Sequence, residues 1–292
     1  MISFRSHVVS LVAVFVALAV GVALGGGPLS EVGRGAMRST AAAPQLREAE
    51  QEADFGDRFA SAAAGRLYAG GLDTHPVAVV TLPGADDDVV RGVTAEVERA
   101  GGSVTATYAV QPGLLDPTEK SLVDTLGEQL VDQVKDDALD AEAPTYERIG
   151  QLLARAVAAT SPGGAGSDAP ASAVLQSLDA AELVSGPAEP ARRAPLVLVA
   201  LGEDVDDDIL AGVLAGLADQ SVGVVAVGDG DAGLAGDLRG LRTSPLVTSV
   251  ATVDSAERPL GQVSAVLALI RSLGTTGGSF GASGSDGAVP LG

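Results

Sequence analysis

A glycine-rich turn followed by a distant carboxylate is the pattern in this sequence that comes nearest to a known binding chemistry. Residues 228–233, Gly-Asp-Gly-Asp-Ala-Gly, have the glycine spacing of a dinucleotide-binding turn, and Asp254 follows about 20 residues later. In that chemistry a pyrophosphate lies at a helix N-terminus and the carboxylate binds a ribose. Here Asp229 and Asp231 place negative charge where the pyrophosphate would lie. We therefore interpret residues 228–233 as an ordinary strand-to-helix turn, with nucleotide binding as the alternative.

Two further stretches resemble the residue patterns of known sites but lack features that those sites require. Residues 277–281, Gly-Gly-Ser-Phe-Gly, spell the G-x-S-x-G of a nucleophile elbow, which requires a strand before it and a helix after it. A predicted helix precedes this stretch and a predicted flexible tail follows it, so Ser279 is not expected to be a nucleophile. A calcium-binding loop beginning at Asp204 fails, because Ile209 and Ala215 stand where glycine and glutamate are required.

Two aspartate triplets, residues 86–88 and 206–208, stand where helices are predicted to begin. Carboxylates there accept hydrogen bonds from free backbone amides and complement the helix dipole. This capping role is the preferred interpretation, and binding of a hard cation is the alternative.

General bases and phosphate-binding lysines are scarce. The two histidines, His7 and His75, have no credible partner nearby in sequence, and neither Lys120 nor Lys135 follows the glycines of a P-loop. We therefore assign no catalytic residue, no cofactor-binding residue and no metal ligand, and we do not expect an enzyme.

Two strand–helix–strand patterns supply the predicted framework for these residues. The first spans residues 76–110 and the second spans residues 195–228, and the two align from Pro76 with Pro195 onward at a nearly constant offset. The strands are apolar throughout, which is typical of a parallel sheet covered by helices on both faces. The sequence therefore predicts an α/β fold with a doubly wound, mainly parallel sheet built from two related βαβ units.

The N-terminal stretch predicts a membrane anchor. Residues 8–27 carry no charge and are long enough to cross a bilayer core of about 30 Å, although Arg5 leaves a cleaved signal peptide as an alternative. The arginines on the two sides of this stretch are nearly balanced. Because long domains translocate largely regardless of charge, we expect a single-pass protein with an extracytoplasmic body. A stripe of small side chains predicts helix packing and self-association through Ala13, Ala17, Gly21 and Gly25.

A second helix-pairing signal follows the helix break predicted at Gly27–Pro28. Apolar and small residues recur at alternating steps of three and four, as in a coiled coil. The positions are Leu46, Ala49, Ala53, Gly56, Ala60, Ala63 and Leu67. The hypothesis is a helical stalk that forms a coiled coil and continues a homo-oligomer. The alternative is a lone amphipathic helix that docks on its own domain.

These patterns divide the chain into six predicted segments. They are the transmembrane anchor (1–29), the helical stalk (30–72), the first α/β unit (73–160), a linker with a short helix (161–190), the second α/β unit (191–273) and a flexible tail (274–292).

The composition limits the partners of the body. A net charge of −20, with only two lysines, argues against nucleic acid, whose phosphates require clustered Lys and Arg. The absence of cysteine excludes disulfides, thiolate metal sites and cysteine nucleophiles. Membrane lipid, through the N-terminal helix, and another envelope protein remain as expected partners.

Three stretches of the sequence resemble the mycobacterial copper transport protein B (MctB) family of actinobacteria. They are residues 1–25, residues 81–88 (Thr-Leu-Pro-Gly-Ala-Asp-Asp-Asp) and residues 253–274, and they occur in family order. The resemblance implies a role in copper homeostasis, a location in the outer membrane of the cell envelope and a channel that lowers intracellular copper, with copper ion as the transported species. Residues 277–281 stand where relatives tend to carry Gly-His-Tyr-Gly, so any role of that histidine is absent here.

The scarcity of good copper ligands in the chain leads to a second candidate function besides copper transport. Cu(I) prefers thiolate and thioether ligands and Cu(II) prefers imidazole, yet the chain has no cysteine and only two methionines and two histidines. The alternative function is a non-catalytic, membrane-tethered scaffold that binds another envelope protein through its α/β body.

Overall fold

The computed structural model describes residues 14–15, 28–202 and 205–291, with side chains from residue 47 onward in the second range. The chain divides into two compact units, Met1–Gly56 and Asp57–Gly292. The first unit contains most of one long helix, and the second contains a β-sheet with helices on both faces.

The predicted membrane anchor falls largely outside the described residues. Of residues 8–27, Val14 and Phe15 are described. The predicted helix-packing residues Ala13, Ala17, Gly21 and Gly25 lie outside the described part of the chain. Within that part, no helix combines the length and the apolar character needed to cross a membrane.

The elements follow one another mostly as strand and helix in alternation. The helices are α1 (Pro28–Tyr68), α2 (Asp87–Arg99), α3 (Pro112–Leu115), α4 (Lys120–Val134), α5 (Thr145–Val157), α6 (Ala169–Ala180), α7 (Asp207–Asp219), α8 (Gly230–Leu234), α9 (Asp237–Thr243) and α10 (Pro259–Ser272). The strands are β1 (Val77–Thr81), β2 (Val104–Val110), β3 (Ala165–Gly166), β4 (Val184–Ser185), β5 (Arg192–Arg193), β6 (Leu196–Ala200), β7 (Gly223–Val227), β8 (Val250–Val253) and β9 (Gly278–Phe280).

Seven strands form one sheet in the order β4-β2-β1-β6-β7-β8-β9. All neighbours are parallel except β4, which is antiparallel to β2. The two predicted strand–helix–strand units are present as β1–α2–β2 and β6–α7–β7, and their first strands pair at the centre of the sheet. The α/β fold with a mainly parallel sheet is therefore confirmed, and both units contribute to one continuous sheet.

Side chains alternate between two apolar layers, because successive residues of a strand point to opposite faces. In β1, Ala78 and Val80 join a core with α5 and α7, whereas Val77 and Val79 join a core with α2 and α10. β1–α2–β2 and β6–α7–β7 run in opposite directions along the sheet. Since such connections share one hand, their helices cover opposite faces.

Close contact between α5 and α7 depends on glycine. Gly212 and Gly216 are four residues apart on α7, and a Cβ at Gly216 would clash with the carbonyl oxygen of Glu147 on α5. A Cβ at Gly150 of α5 would meet the backbone of Val213 in the same way. The two backbones therefore touch, and nearly every residue of α5 is buried between α7 and the helices around it.

The C-terminal turns of α1 dock on the body of their own chain. Ala60, Ala64 and Tyr68 are buried in the core that contains α2 and α10. Asp57 forms an ion pair with Arg258 at an N···O distance of 2.6 Å. Of the predicted coiled-coil positions, Ala60 is buried in this core and Leu67 packs against it, as the docking alternative expects, because the same spacing suits any apolar surface.

The tail differs from the flexible segment expected from its Gly/Ser-rich composition. β9 extends the sheet beside β8, and the chain then turns back so that the amide of Asp286 donates to the carbonyl of Ser279. The β8–α10–β9 connection has the opposite hand to β6–α7–β7, because it runs in the same direction with its helix on the other face. Side-chain bonds described below fix this segment.

Candidate functional site at the carboxyl edge of the sheet

A crevice lies at the carboxyl ends of β1, β6 and β7. The chain leaves the central strands β1 and β6 in opposite directions, and in open α/β sheets this divergence creates the usual ligand crevice. Its volume is about 370 Å³. The described residues that line it are Gly84, Asp86, Val89, Leu201, Gly202, Gly228, Asp229, Gly230, Asp231, Ala232 and Glu257.

The crevice is acidic. Asp86, Asp229, Asp231 and Glu257 are exposed carboxylates, and none of the described lining residues is Lys or Arg. A phosphate group would therefore meet negative charge on several sides. A cation, or a cationic side chain of another molecule, suits this lining better than a nucleotide does.

Both aspartate triplets cap helices, as predicted. The side chain of Asp86 accepts a hydrogen bond from the amide of Asp88 at 2.7 Å, at the start of α2. The side chain of Asp206 accepts from the amides of Asp208 at 3.0 Å and Ile209 at 3.3 Å, at the start of α7. The capping interpretation is confirmed, and Asp86 also lines the crevice.

The glycine-rich turn at residues 228–233 lines the crevice without the geometry of a nucleotide site. Asp229 accepts a hydrogen bond from the amide of Ala232 at 2.8 Å and caps α8. That helix has five residues, whereas the pyrophosphate of a dinucleotide needs the long helix of a βαβ unit. The turn is therefore the ordinary strand-to-helix turn of the preferred interpretation.

Asp254, the candidate ribose ligand, is fully buried at the end of β8. Arg242 donates to its Oδ2 at 2.9 Å, and the backbone amides of Ala282 and Ser283 donate at 2.6 and 3.0 Å. The Ser283 hydroxyl also donates to Oδ2. Because these donors occupy both of its oxygens, Asp254 holds the tail against the sheet instead of binding a ribose.

The electrostatics of Asp254 agree with that role. Burial raises the pKa of its carboxyl group, but the hydrogen bonds from Ser283 and Arg242 outweigh burial and leave the pKa below its ordinary value. Arg242 additionally donates to the carbonyl oxygen of Phe280 at 2.6 Å and to the Ser283 hydroxyl at 2.7 Å. One arginine therefore connects α9, β8, β9 and the tail.

The remaining sequence candidates lie apart from the crevice. His75 is at the amino end of β1, where its Nδ1 lies 2.8 Å from the carbonyl oxygen of Pro162. Ser279 lies in the middle of β9 and is buried, so no strand-to-helix elbow presents it. Within the described ranges, no group of three or more His, Cys, Asp or Glu side chains is arranged to hold a metal ion.

Sequence reasoning missed Glu257 and Arg242. The apolar run that ends at Asp254 predicts a strand, and Glu257 follows it by three residues. The rule that parallel strands end at one edge could therefore have placed Glu257 beside the crevice. Arg242 gave no signal, because its partners lie 10 to 41 residues away in sequence.

Comparison with known proteins places the chain in a family. The model of the family described as "Copper transport outer membrane protein, MctB" matches residues 1–291. The copper transporter MctB of Mycobacterium tuberculosis is 37% identical over 122 residues, which cover 38% of each chain. The copper transporter MctB of Mycobacterium leprae is 34% identical over 136 residues, or 41% of each chain. The alignments thus span about two fifths of these relatives. With a family match that extends over residues 1–291, the chain belongs to the MctB family of copper transport proteins.

Proposed function

We propose that this chain transports copper in the cell envelope, as part of an efflux route that lowers intracellular copper. The family match over residues 1–291 is the observation that carries the proposal. The uncharged stretch 8–27 supports a membrane tether, with the α/β body outside the cytoplasm. The family description supports the outer membrane as the location.

The crevice supports weak, exchangeable contact with a cation. Its charged groups are the carboxylates of Asp86, Asp229, Asp231 and Glu257, which are oxygen donors. Copper binds thiolate, thioether and imidazole ligands more tightly than carboxylates. Weak binding agrees with transport, because an ion that passes through a protein must be able to leave each site.

The decisive experiment measures intracellular copper in a strain that lacks the gene. We expect the deletion strain to accumulate copper in copper-supplemented medium, and the full-length chain to restore the lower level. Elemental mass spectrometry of washed cells gives the measurement. Unchanged copper content in the deletion strain would contradict the proposal.

Neutralising the crevice tests whether the body takes part. The triple variant Asp86→Asn, Asp231→Asn, Glu257→Gln removes three charges, and Asn still caps α2. A matched control, Glu98→Gln, Asp132→Asn, Asp137→Asn, removes three exposed charges elsewhere. If the crevice contacts the ion, the crevice variant fails to restore the copper level and the control succeeds. Equal restoration by both variants would exclude the crevice from the route.

The scaffold function remains as a second candidate, because the acidic crevice also suits a cationic segment of another envelope protein. Purified full-length chain in liposomes separates the two. Transport predicts copper flux, and Gly21→Leu in the predicted anchor is expected to alter it. A scaffold predicts no flux and a specific partner that crosslinks beside the crevice in membranes.

A further inference from the structure

A second cavity lies at the amino ends of β1 and β2, on the edge of the sheet opposite the crevice. All of its lining residues belong to the unit Asp57–Gly292, and its volume is about 300 Å³. The polar side chains among the described lining residues are those of Thr74, His75, Ser103, Thr105 and Arg192. This lining contains the only imidazole in the part of the chain that the structure describes, together with a guanidinium.

One loop orients both of these basic side chains. Nδ1 of His75 lies 2.8 Å from the carbonyl oxygen of Pro162, and the guanidinium of Arg192 donates to the carbonyl oxygen of Gly163 at 2.7 Å. Because a carbonyl oxygen can only accept, Nδ1 of His75 is the donor, and Nε2 remains for a ligand. Among the described residues, Arg192 has no carboxylate partner. Consecutive carbonyl groups therefore hold an imidazole and a guanidinium in place beside one cavity.

The charges around this cavity favour an anion. None of the described lining residues is Asp or Glu, although the whole chain has 38 acidic and only 18 basic residues. Asp73 packs against Gly101 beside the cavity without lining it. The planar guanidinium of Arg192 matches the oxygens of carboxylate and phosphate groups, which it binds through paired N–H groups. The protonation of His75 then decides between these anions.

We propose that this cavity binds a phosphate group, as inorganic phosphate or as a phosphate monoester. When His75 is neutral, its Nε2 carries a lone pair and repels an anion without a proton, such as a carboxylate or sulfate. Phosphate loses its second proton only near pH 6, so it can donate a proton to Nε2 or accept one from the imidazolium. One shared proton therefore joins His75 to phosphate, while Arg192 offsets the remaining negative charge and the hydroxyl of Ser103 is a further donor.

Isothermal titration calorimetry of the purified full-length chain near neutral pH tests the proposal. We expect inorganic phosphate to bind at least about tenfold more tightly than sulfate, which has the same shape but no proton to donate. Glycerol phosphate separates the two sources of the group. Tighter binding than inorganic phosphate identifies a phosphate monoester as the ligand, and binding that is no tighter identifies the free ion. No phosphate binding at millimolar concentration, or equal binding of phosphate and sulfate, would overturn the proposal.

Two variants test the residues. Arg192→Gln is expected to weaken phosphate binding by about tenfold or more, since it removes the charged donor. Arg66→Gln, which removes an exposed arginine of α1 outside the cavity, is the control and should leave binding unchanged. His75→Asn keeps a donor for the carbonyl of Pro162 but removes Nε2, so phosphate and sulfate should then bind equally, within about twofold.

The folded state of each variant is checked by its melting temperature. Because Arg192 and Arg66 are exposed, both glutamine variants should melt as the natural chain does. Phosphate binding by Arg192→Gln as tight as that of the natural chain would contradict the assignment. So would a preference for phosphate over sulfate that survived in His75→Asn. None of these measurements involves copper.

Discussion

At the end of β8, Asp254 is buried among hydrogen-bond donors, whereas Asp86, Asp229 and Asp231 stay exposed around an open crevice on the same edge of the sheet. The residue type is the same in both places, and so is the position after a parallel strand. The difference lies in Arg242 and in the returning tail, which supply donors to Asp254 only. A carboxylate at this edge is structural where the chain buries it among several donors, and it is available to a ligand where it stays exposed and accepts a single capping amide, as Asp86 and Asp229 do.

The largest effect is expected from Asp254→Ala. This change leaves Arg242, whose side chain is 9% exposed, without its charge partner. Removing one member of a buried ion pair typically costs about 3–5 kcal/mol. Urea unfolding of the full chain, followed by circular dichroism, gives the measurement. A loss below about 1 kcal/mol would remove the distinction between the two places.

The pH dependence of stability sharpens the same comparison. Because the folded-state pKa of Asp254 is lowered, its contribution to stability is complete above the unfolded pKa and is lost as pH falls through the folded pKa. The stability difference between the natural chain and Asp254→Asn should therefore be constant near neutral pH and shrink in strong acid. Urea unfolding of both chains between pH 7 and about pH 2 measures it. A difference that grew on acidification would contradict this assignment.

A smaller effect is expected from Asp229→Ala in the crevice. This change removes the cap of α8, and such caps contribute about 1 kcal/mol. Asp229→Asn keeps the cap and serves as the control. If both variants lost the same stability, the charge of Asp229 and not its cap would be responsible.

The smallest effect is expected from Asp231→Asn. Asp231 is exposed and lines the crevice, so this substitution should change the free energy of unfolding by no more than about 0.5 kcal/mol. Thermal unfolding of Asp231→Asn and of Asp254→Ala, measured side by side, gives the comparison directly. A large loss would mean that the crevice carboxylates are also structural.

The sheet was predictable because its signals are local. Buried strands such as β1 and β6 are short runs of Val, Leu and Ala, and the aspartate triplets mark the starts of α2 and α7. Between the two strand–helix–strand units, the sequence also predicts helices at residues 118–135 and 145–159, and the structure has α4 and α5 there. Each of these signals lies within about a dozen residues of the element that it predicts.

The crevice and the tail depended on long-range contacts. The sequence indicated the turns at residues 86–88 and 228–233, but joining them required the strand order, which periodicity does not contain. β9 has three residues in a Gly/Ser-rich stretch, too short for a pattern, and distant Arg242 supplies the bonds that fix it. The spacing of residues 46–67 predicts a helix with an apolar face, but spacing does not say whether such a helix packs on its own body or on another chain.

Both ends of the sheet carry very short strands, two residues in β4 and three in β9. The outer side of β9 already bonds to the returning tail through Ser279 and Asp286. A sheet with strands as apolar as β1, β6 and β7 would promote aggregation if it had a long unpaired edge, because a strand of another chain could pair with that edge. By ending the sheet in this way, the chain protects a strongly apolar core from intermolecular strand addition. A truncation that removed the tail would be expected to make the protein prone to aggregation before it lost its fold.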